Sequence, residues 1–461
     1  MYHAPAGVGD GVQAKAALAA ALDRTESVEQ QIHALIPEPG RRERVFAELD
    51  ALLARYPDPA TRPPLFGIPF GVKDIFRVDG FETRAGSRLA PDLFSGEQAT
   101  AVTRLREAGA IVIGKTVTTE FAYFAPGPTR NPWNTAHTPG GSSSGSAAAV
   151  SAGYCAFALG TQTIGSINRP AAFCGVVGFK PSYGRVPTAG VIPFSVSADH
   201  AGLLAADVAS ARAAASVMWD AWDPTAAASA ASRTAGAPGA STAGAGPAAA
   251  RTVLLLDDAF TAQADDEARA AVEQAAAAIG RAGFHVRRVG FFAEIESLND
   301  VHRRMVAREF ADVHDRWVAE YGNLYARQSL ELINLGRTVS DAELEEARAG
   351  RLALRSRIAE LLEREGAACI LSPSSMTPAP QGIEATGSPL LNLPWTYAGV
   401  PTVTVPASLS RAGLPLGLQI AAKHGRDEAL MGSAEAYEQV LGGRTFRRDR
   451  AASSSSPSAS R

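Results

Sequence analysis

The run Pro139-Gly140-Gly141-Ser142-Ser143-Ser144-Gly145-Ser146 constrains this chain more than any other stretch, because its glycines and serines offer no large apolar side chain to bury. It makes a poor strand and a poor core, so it reads as a loop that exposes hydroxyls and backbone N–H groups. It leads into small residues at 147–150 that start a helix, where unpaired N–H groups and the helix dipole favour nearby negative charge. A second cluster, Gly160-Thr161-Gln162-Thr163-Ile164-Gly165-Ser166, follows the apolar run 154–159. There the chain turns from a buried strand into small polar residues, which puts Ser166 at the mouth of a sheet. Short β-branched runs such as 110–113, small-residue helices such as 146–152 and the glycines and prolines between them predict an α/β fold, with helices against the faces of a sheet.

The rest of the chain fits around that centre. Apolar positions recur at three and four over residues 14–56, broken at 37–40, which predicts two helices in an N-terminal segment, 1–60, packed outside the main body. The main domain is expected over 61–445. Within it, 224–250 reduces to Ala, Gly, Ser, Thr and Pro with one arginine, too little apolar surface to offset the entropy of ordering it, and reads as a flexible excursion. Strand character returns at 252–256, 368–371, 402–405 and 416–421, with amphipathic helices at 265–281 and 341–365. One sheet drawing strands from both ends of the chain explains that return better than two separate domains do. The tail 446–461 is serine-rich and expected to be disordered.

Composition narrows the function. At 461 residues and 46% hydrophobic the chain can bury a large core without staples. Its three cysteines, Cys155, Cys174 and Cys369, lie far apart in apolar surroundings, form no metal-ligand spacing and read as reduced core residues. A formal charge of -3 gives no footprint for nucleic acid. No basic segment followed by an apolar block opens the chain, and no apolar stretch approaches the roughly 18 residues of a membrane span. The expected compartment is the cytoplasm and the expected ligand a small molecule.

Three chemical readings compete for the Gly/Ser loop. A phosphate cradle would need a Lys-Ser/Thr pair after its last glycine, which is missing. The run Gly141-Ser142-Ser143-Ser144-Gly145 formally satisfies the nucleophile-elbow pattern, but the polar, proline-containing stretch 129–139 before it is no buried strand, and His200, His285, His302, His314 and His424 give no cue to a partner base. The third reading joins the loop to Ser166 and to Gly67-Ile68-Pro69-Phe70-Gly71-Val72-Lys73-Asp74, a strand-like segment with one lysine among apolar residues. A lysine there either snorkels to solvent or is held neutral by burial, which lowers a lysine pKa toward the range of a base.

Together with Phe173-Cys174-Gly175-Val176-Val177-Gly178-Phe179-Lys180-Pro181, these segments resemble the amidase signature family, strongly over 65–181 and moderately over 372–420. The resemblance implies a single large domain with a central mixed sheet surrounded by helices. It places the catalytic lysine on Lys73, the bridging serine on Ser142 after a cis Gly141–Ser142 peptide, and the nucleophile on Ser166. It also assigns the oxyanion hole to the backbone N–H groups of Thr163, Ile164, Gly165 and Ser166. No metal or cofactor is implied, since base and nucleophile are both side chains. Members are often homodimers.

Two departures stand out. Many members have Asp-Thr-Gly-Gly-Ser where this chain has Gln162-Thr163-Ile164-Gly165-Ser166, and an isoleucine at a position needing positive φ would be strained. The arginine that commonly follows the nucleophile by two is Asn168 here, with Arg169 next. The resemblance admits a free-standing amidase acting on a small carboxamide, a glutaminase component of an amidotransferase supplying ammonia from glutamine, or an amide-binding relative without turnover. Only four residues separate Glu120-Phe121-Ala122 from Gly127-Pro128-Thr129, shorter than is usual in the amidotransferase branch, which favours the first. Phe121, Tyr123, Phe124, Phe194 and Trp395 could line an acyl pocket, though core is the better reading of each, and no substrate-binding residue is assigned.

Overall fold

A computed structural model describes residues 11–226 and 251–442. Ten strands form one mixed sheet: β1 (Pro69–Lys73), β2 (Ile111–Thr116), β3 (Phe157–Gln162), β4 (Val177–Lys180), β5 (His200–Ala205), β6 (Thr252–Leu256), β7 (His285–Val289), β8 (Cys369–Pro373), β9 (Thr402–Leu409) and β10 (Pro415–Ala421). Their order across the sheet is β2-β1-β3-β5-β4-β9-β10-β8-β6-β7. The β2-β1-β3 and β8-β6-β7 groups are parallel, and the strands between them run antiparallel. Both ends of the chain therefore supply the centre, as β4 pairs with β9 through Gly178 and Thr404. The protein is a single α/β domain.

Among the described residues twelve α-helices accompany the sheet: α1 (Gly11–Ile32), α2 (Arg41–Arg55), α3 (Thr100–Glu107), α4 (Ser144–Ala152), α5 (Asn168–Cys174), α6 (Val208–Met218), α7 (Asp266–Arg281), α8 (Ile295–Tyr321), α9 (Arg327–Gly336), α10 (Asp341–Arg364), α11 (Leu393–Ala398) and α12 (Asp427–Val440). Helix α7 shows how sequence becomes packing. Asp265 caps its first turn by accepting from the Ala268 N–H at 2.7 Å, and Ala268, Ala271, Val272, Ala275, Ala276 and Ile279 form its buried stripe. A capping box between Ser340 and Glu343 starts α10.

The two edges of the sheet are protected differently. Residues following α1 run along β2, with Ile36 N–H donating to Lys115 O at 2.8 Å and Val117 N–H to Ala34 O at 2.9 Å. At the other edge β7 is largely exposed and carries Arg287 and Arg288, paired with Glu365 and Glu273, charges that discourage edge-to-edge association. Residues 227–250 of the expected flexible excursion and all of the expected tail, 446–461, lie outside the described residues. No helix among the described residues is long and apolar enough to cross a membrane. All three cysteines are buried free thiols.

Candidate active site

Parallel strands β1 and β3 are neighbours in register, Val72 opposite Leu159, so their carboxyl ends open on the same side. Lys73 ends β1 there, and the second Gly/Ser cluster leaves β3 beside it. The Lys73 side chain has no solvent exposure, and its Nζ lies 2.8 Å from Ser142 Oγ and 2.8 Å from Thr161 Oγ1. Among the described residues no carboxylate reaches it. Burial pushes the Lys73 ammonium well below its ordinary value; Asp199 pulls the other way and Arg169 adds to the lowering. The shift favours the neutral amine, and in the structure Nζ donates to both hydroxyls.

The loop that presents Ser142 is held from several sides. The Gly141–Ser142 peptide is cis, and Gly140 adopts φ 80°. Gly145 is fixed by space, since a Cβ there would stand 2.2 Å from Ala34 O, and its N–H donates to Val117 O at 2.9 Å. The neighbouring hydroxyls are spent on scaffold: Ser143 Oγ donates to Thr161 O at 3.3 Å, Ser144 Oγ to Val117 O at 3.4 Å, and Ser146 Oγ to Leu159 O at 2.8 Å. Ser143, the serine that an elbow reading would make the nucleophile, has no exposure at all. Of the four serines in this loop, Ser142 is the one that turns its hydroxyl to the lysine.

Ser166 stands next in line. Its carbonyl accepts from the Ser143 N–H at 3.4 Å, which brings the two clusters together. Exposure rises from 0% at Lys73 through 1% at Ser142 to 7% at Ser166, so the series runs from the interior outwards. No hydrogen bond joins the Ser142 and Ser166 hydroxyls, and among the described residues Ser166 Oγ has no protein partner. It can rotate toward Ser142 or toward a ligand, and such contacts often tighten only when substrate is bound.

The turn between β3 and α5 has an unusual distribution of bonds. Every carbonyl from Gln162 to Ser166 is engaged: Gln162 O lies 3.2 Å from His200 Nδ1, Thr163 O 3.0 Å from His302 Nε2, and Ile164 O accepts from Thr396 Oγ1 at 2.8 Å. Gly165 O accepts from the Arg169 N–H at 3.1 Å. By contrast, the N–H groups of Thr163, Ile164, Gly165 and Ser166 donate to nothing among the described residues. With the carbonyls pinned from behind, these donors form the kind of preorganised set an oxyanion needs. Thr163 Oγ1 also donates to Asp199 Oδ1 at 2.5 Å, and burial raises the Asp199 carboxyl to about 6.

The sequence departures acquire reasons here. Ile164 is not at positive φ, so its side chain causes no strain. Gly165 is required by crowding instead, since a Cβ there would meet Asn392 Oδ1 at 2.6 Å. Gln162 Oε1 accepts from the N–H groups of Ile167 and Asn168 at 2.8 and 3.0 Å, and its Nε2 donates to Thr396 Oγ1 at 3.0 Å, a donation no carboxylate could make. Asn168 ties α5 to β9 through Thr402 and Thr404. Arg169 donates through Nη2 to Gly141 O at 2.5 Å. Of the aromatic residues considered for an acyl pocket, Phe121, Phe194 and Trp395 are core, whereas Tyr123 and Phe124 are partly exposed. Asp199, His302 and Thr396 were not legible as site residues, since no local motif marks them and only the fold brings them in; Thr161 stands in the second cluster, but nothing there marks it as a partner of Lys73.

Comparison with known proteins identifies the family. Residues 16–431 match the Amidase family. The A component of the glutamyl-tRNA(Gln) amidotransferase of Koribacter versatilis is 31% identical over 433 residues, covering 86% of this chain and 88% of the relative. The corresponding polypeptide of Myxococcus xanthus is 33% identical, covering 91% and 92%. Among solved structures, an amidase superposes with a TM-score of 0.77 at 32% identity over 92% of this chain and 95% of its own. The peptide amidase of Stenotrophomonas maltophilia does so with 0.75 at 28% identity over 95% and 97%. Motifs, fold and relatives together place this chain in the amidase signature family.

Proposed function

We propose that this protein is an amidase that hydrolyses a small carboxamide through an acyl-enzyme on Ser166, with Ser142 as proton relay and Lys73 as base. The observation that carries the reading is a fully buried lysine amine with no carboxylate partner, 2.8 Å from the hydroxyl of Ser142. A serine hydroxyl is a weak nucleophile until a base stands within reach, and a lysine serves only when neutral. In the first step the Ser166 Oγ–H proton passes to Ser142 Oγ as the Ser142 proton passes to Lys73 Nζ, and Ser166 Oγ bonds to the amide carbon. The carbonyl π electrons move onto oxygen, which the N–H groups of residues 163–166 receive. Each such donor typically contributes about 3 kcal/mol in the transition state. The relay reversed protonates the leaving nitrogen, the C–N bond breaks, and water then releases the carboxylate by the same path.

The names of the relatives support a second reading, in which the site makes ammonia from glutamine for transfer within a larger assembly. Against it stands the short segment 123–126, where the amidotransferase branch usually carries more chain. The test is intact mass after exposure to a fluorophosphonate, with Ser166→Ala beside the parent, followed by ammonia release from aliphatic and aryl amides and from glutamine. The expected result is one adduct, absent from the variant, and turnover of simple amides by the chain alone. Near-normal turnover by Ser166→Ala would end the assignment; turnover of glutamine alone would favour the second reading.

A further inference from the structure

Away from the catalytic groups, the carboxyl end of α11 gathers two arginines that lack a counter-ion. Arg351 and Arg355 stand four residues apart on α10, so they share a helix face on which like charges repel. Each spends its Nε on the end of α11: Arg351 donates to Tyr397 O at 3.1 Å and Arg355 to Ala398 O at 2.8 Å. Among the described residues the terminal nitrogens of both have no hydrogen-bond partner, and neither guanidinium has a carboxylate within ion-pair distance. Arg351, 7% exposed, keeps its Nη2 both idle and closed to solvent. Nearby carboxylates are committed elsewhere. Glu309, which acts on Arg351 by charge, is held by Arg348, Ser195 and Ser197, and Asp427 is held by Ser182 and Arg185. Burial lowers both guanidinium groups, and Arg351 lowers Arg355 further. Lys180, wholly buried close by, is pushed down to about 7, first by burial, with Asp427 opposing and both arginines adding to the fall.

We propose that Arg351 and Arg355 form a binding site, separate from the catalytic one, for a tetrahedral oxyanion: free phosphate or the phosphate of a phosphomonoester. The inference goes beyond the amidase reading and does not depend on it. Convergence supports it, since a Cβ on Gly399 would stand 2.7 Å from Arg355 Nη2 and 3.7 Å from Arg351 Nη2, so both forks reach toward one point. One fork satisfies a planar carboxylate; two forks at one point suit an anion with acceptors on every side. The forks are also held before any anion arrives. Their Nε atoms are tied to α11, and the partly exposed Tyr183 ring lies 4.6 Å from the Arg351 guanidinium carbon, its own hydroxyl donating to Val196 O at 2.6 Å. Binding therefore orders little that is not already ordered. The site stands one short helix from the catalytic turn, because α11 also carries Thr396, the donor to Ile164 O.

The experiment is titration calorimetry of the full chain with inorganic phosphate and with glycerol 2-phosphate, against chloride at equal ionic strength, in the parent and in Arg355→Gln. The expected result is saturable binding of one phosphate that chloride does not reproduce, weakened about 10-fold or more in Arg355→Gln. Equal or tighter binding of glycerol 2-phosphate identifies a phosphomonoester as the ligand; binding of inorganic phosphate alone identifies the free anion. Phosphate bound no better than chloride overturns the inference. So does phosphate binding that Arg355→Gln leaves unchanged, since that anion sits elsewhere, the catalytic site included. Should Arg355→Gln fail to fold, the parent decides alone: phosphate, and not chloride, should slow the modification of Arg355 by phenylglyoxal, read by peptide mass, and equal modification in the two salts overturns the site. Adduct formation at Ser166 is scored separately, so failure of the amidase reading leaves this result standing.

Discussion

Two buried lysines sit on adjacent parallel strands and have different surroundings. Lys73 ends β1, and Lys115 lies on β2 opposite Val72, one register position away. Lys115 Nζ meets Asp74 Oδ1 at 2.8 Å, with both side chains 2% exposed, and also donates to Glu82 O and Thr83 Oγ1. Lys73 meets only hydroxyls. Burial lowers both lysines, but Asp74 holds Lys115 toward its charged form, whereas nothing so close does this for Lys73. Burial alone therefore does not fit a lysine for the role proposed for Lys73; the missing counter-ion does. Only five lysines stand among 44 basic residues in the chain, and three of them, Lys180 included, are buried, so lysine here is used chiefly where arginine's permanent charge or bulk would not serve.

Four substitutions sharpen or break that contrast. The largest effect is expected at Lys73→Met, about 10⁴-fold or more lost from kcat/KM with the fold retained, since a group that acts as a unit with two others carries most of their joint effect. Steady-state kinetics beside circular dichroism checks it. Lys115→Met should do the reverse, destabilising by about 3–5 kcal/mol because Asp74 is left buried and unpaired, as denaturant midpoints would read, while the folded enzyme keeps its rate within a few-fold. A rate loss at Lys115 matching that at Lys73 would erase the distinction.

Smaller effects concern what surrounds the pair. His302→Phe removes the bond to Thr163 O and should lower kcat about 10-fold with KM little changed, less than loss of an oxyanion donor itself. The finest test is a pH profile. The base must be unprotonated, so kcat/KM falls as pH drops through the Lys73 pKa, and that limb should lie well below the ordinary lysine range. Asp199 favours the charged lysine, so Asp199→Asn should move the limb to lower pH; a move upward would show that Asp199 does not act on Lys73 by charge.

Much of the centre was legible in the sequence because small residues are conspicuous: two runs rich in glycine and serine, around Ser142 and Ser166, stand out from the apolar segments beside them. The remainder was hidden for identifiable reasons. Helix α8 buries His302, Glu309 and His314 beside its apolar residues, so its inward face does not follow an apolar period. Strand β7 is a polar, exposed edge and lacks the alternation of a half-buried strand. Strand β4 has four residues, one of them Gly178, too short a signal to stand alone. His302 reaches Thr163 across 139 positions, a proximity that belongs to the fold and to no motif.

The pairing of β4 with β9 also governs when the site can exist during synthesis. Lys73, Ser142 and Ser166 are all translated early, but Thr396, which holds Ile164 O, and Thr402 and Thr404, which anchor Asn168, arrive more than two hundred residues later. A nascent chain carries its reactive serines long before it carries the braces that aim the turn around them. On the proposed reading, a chain that ended before β9 would hold both serines without the braces that aim the turn between them.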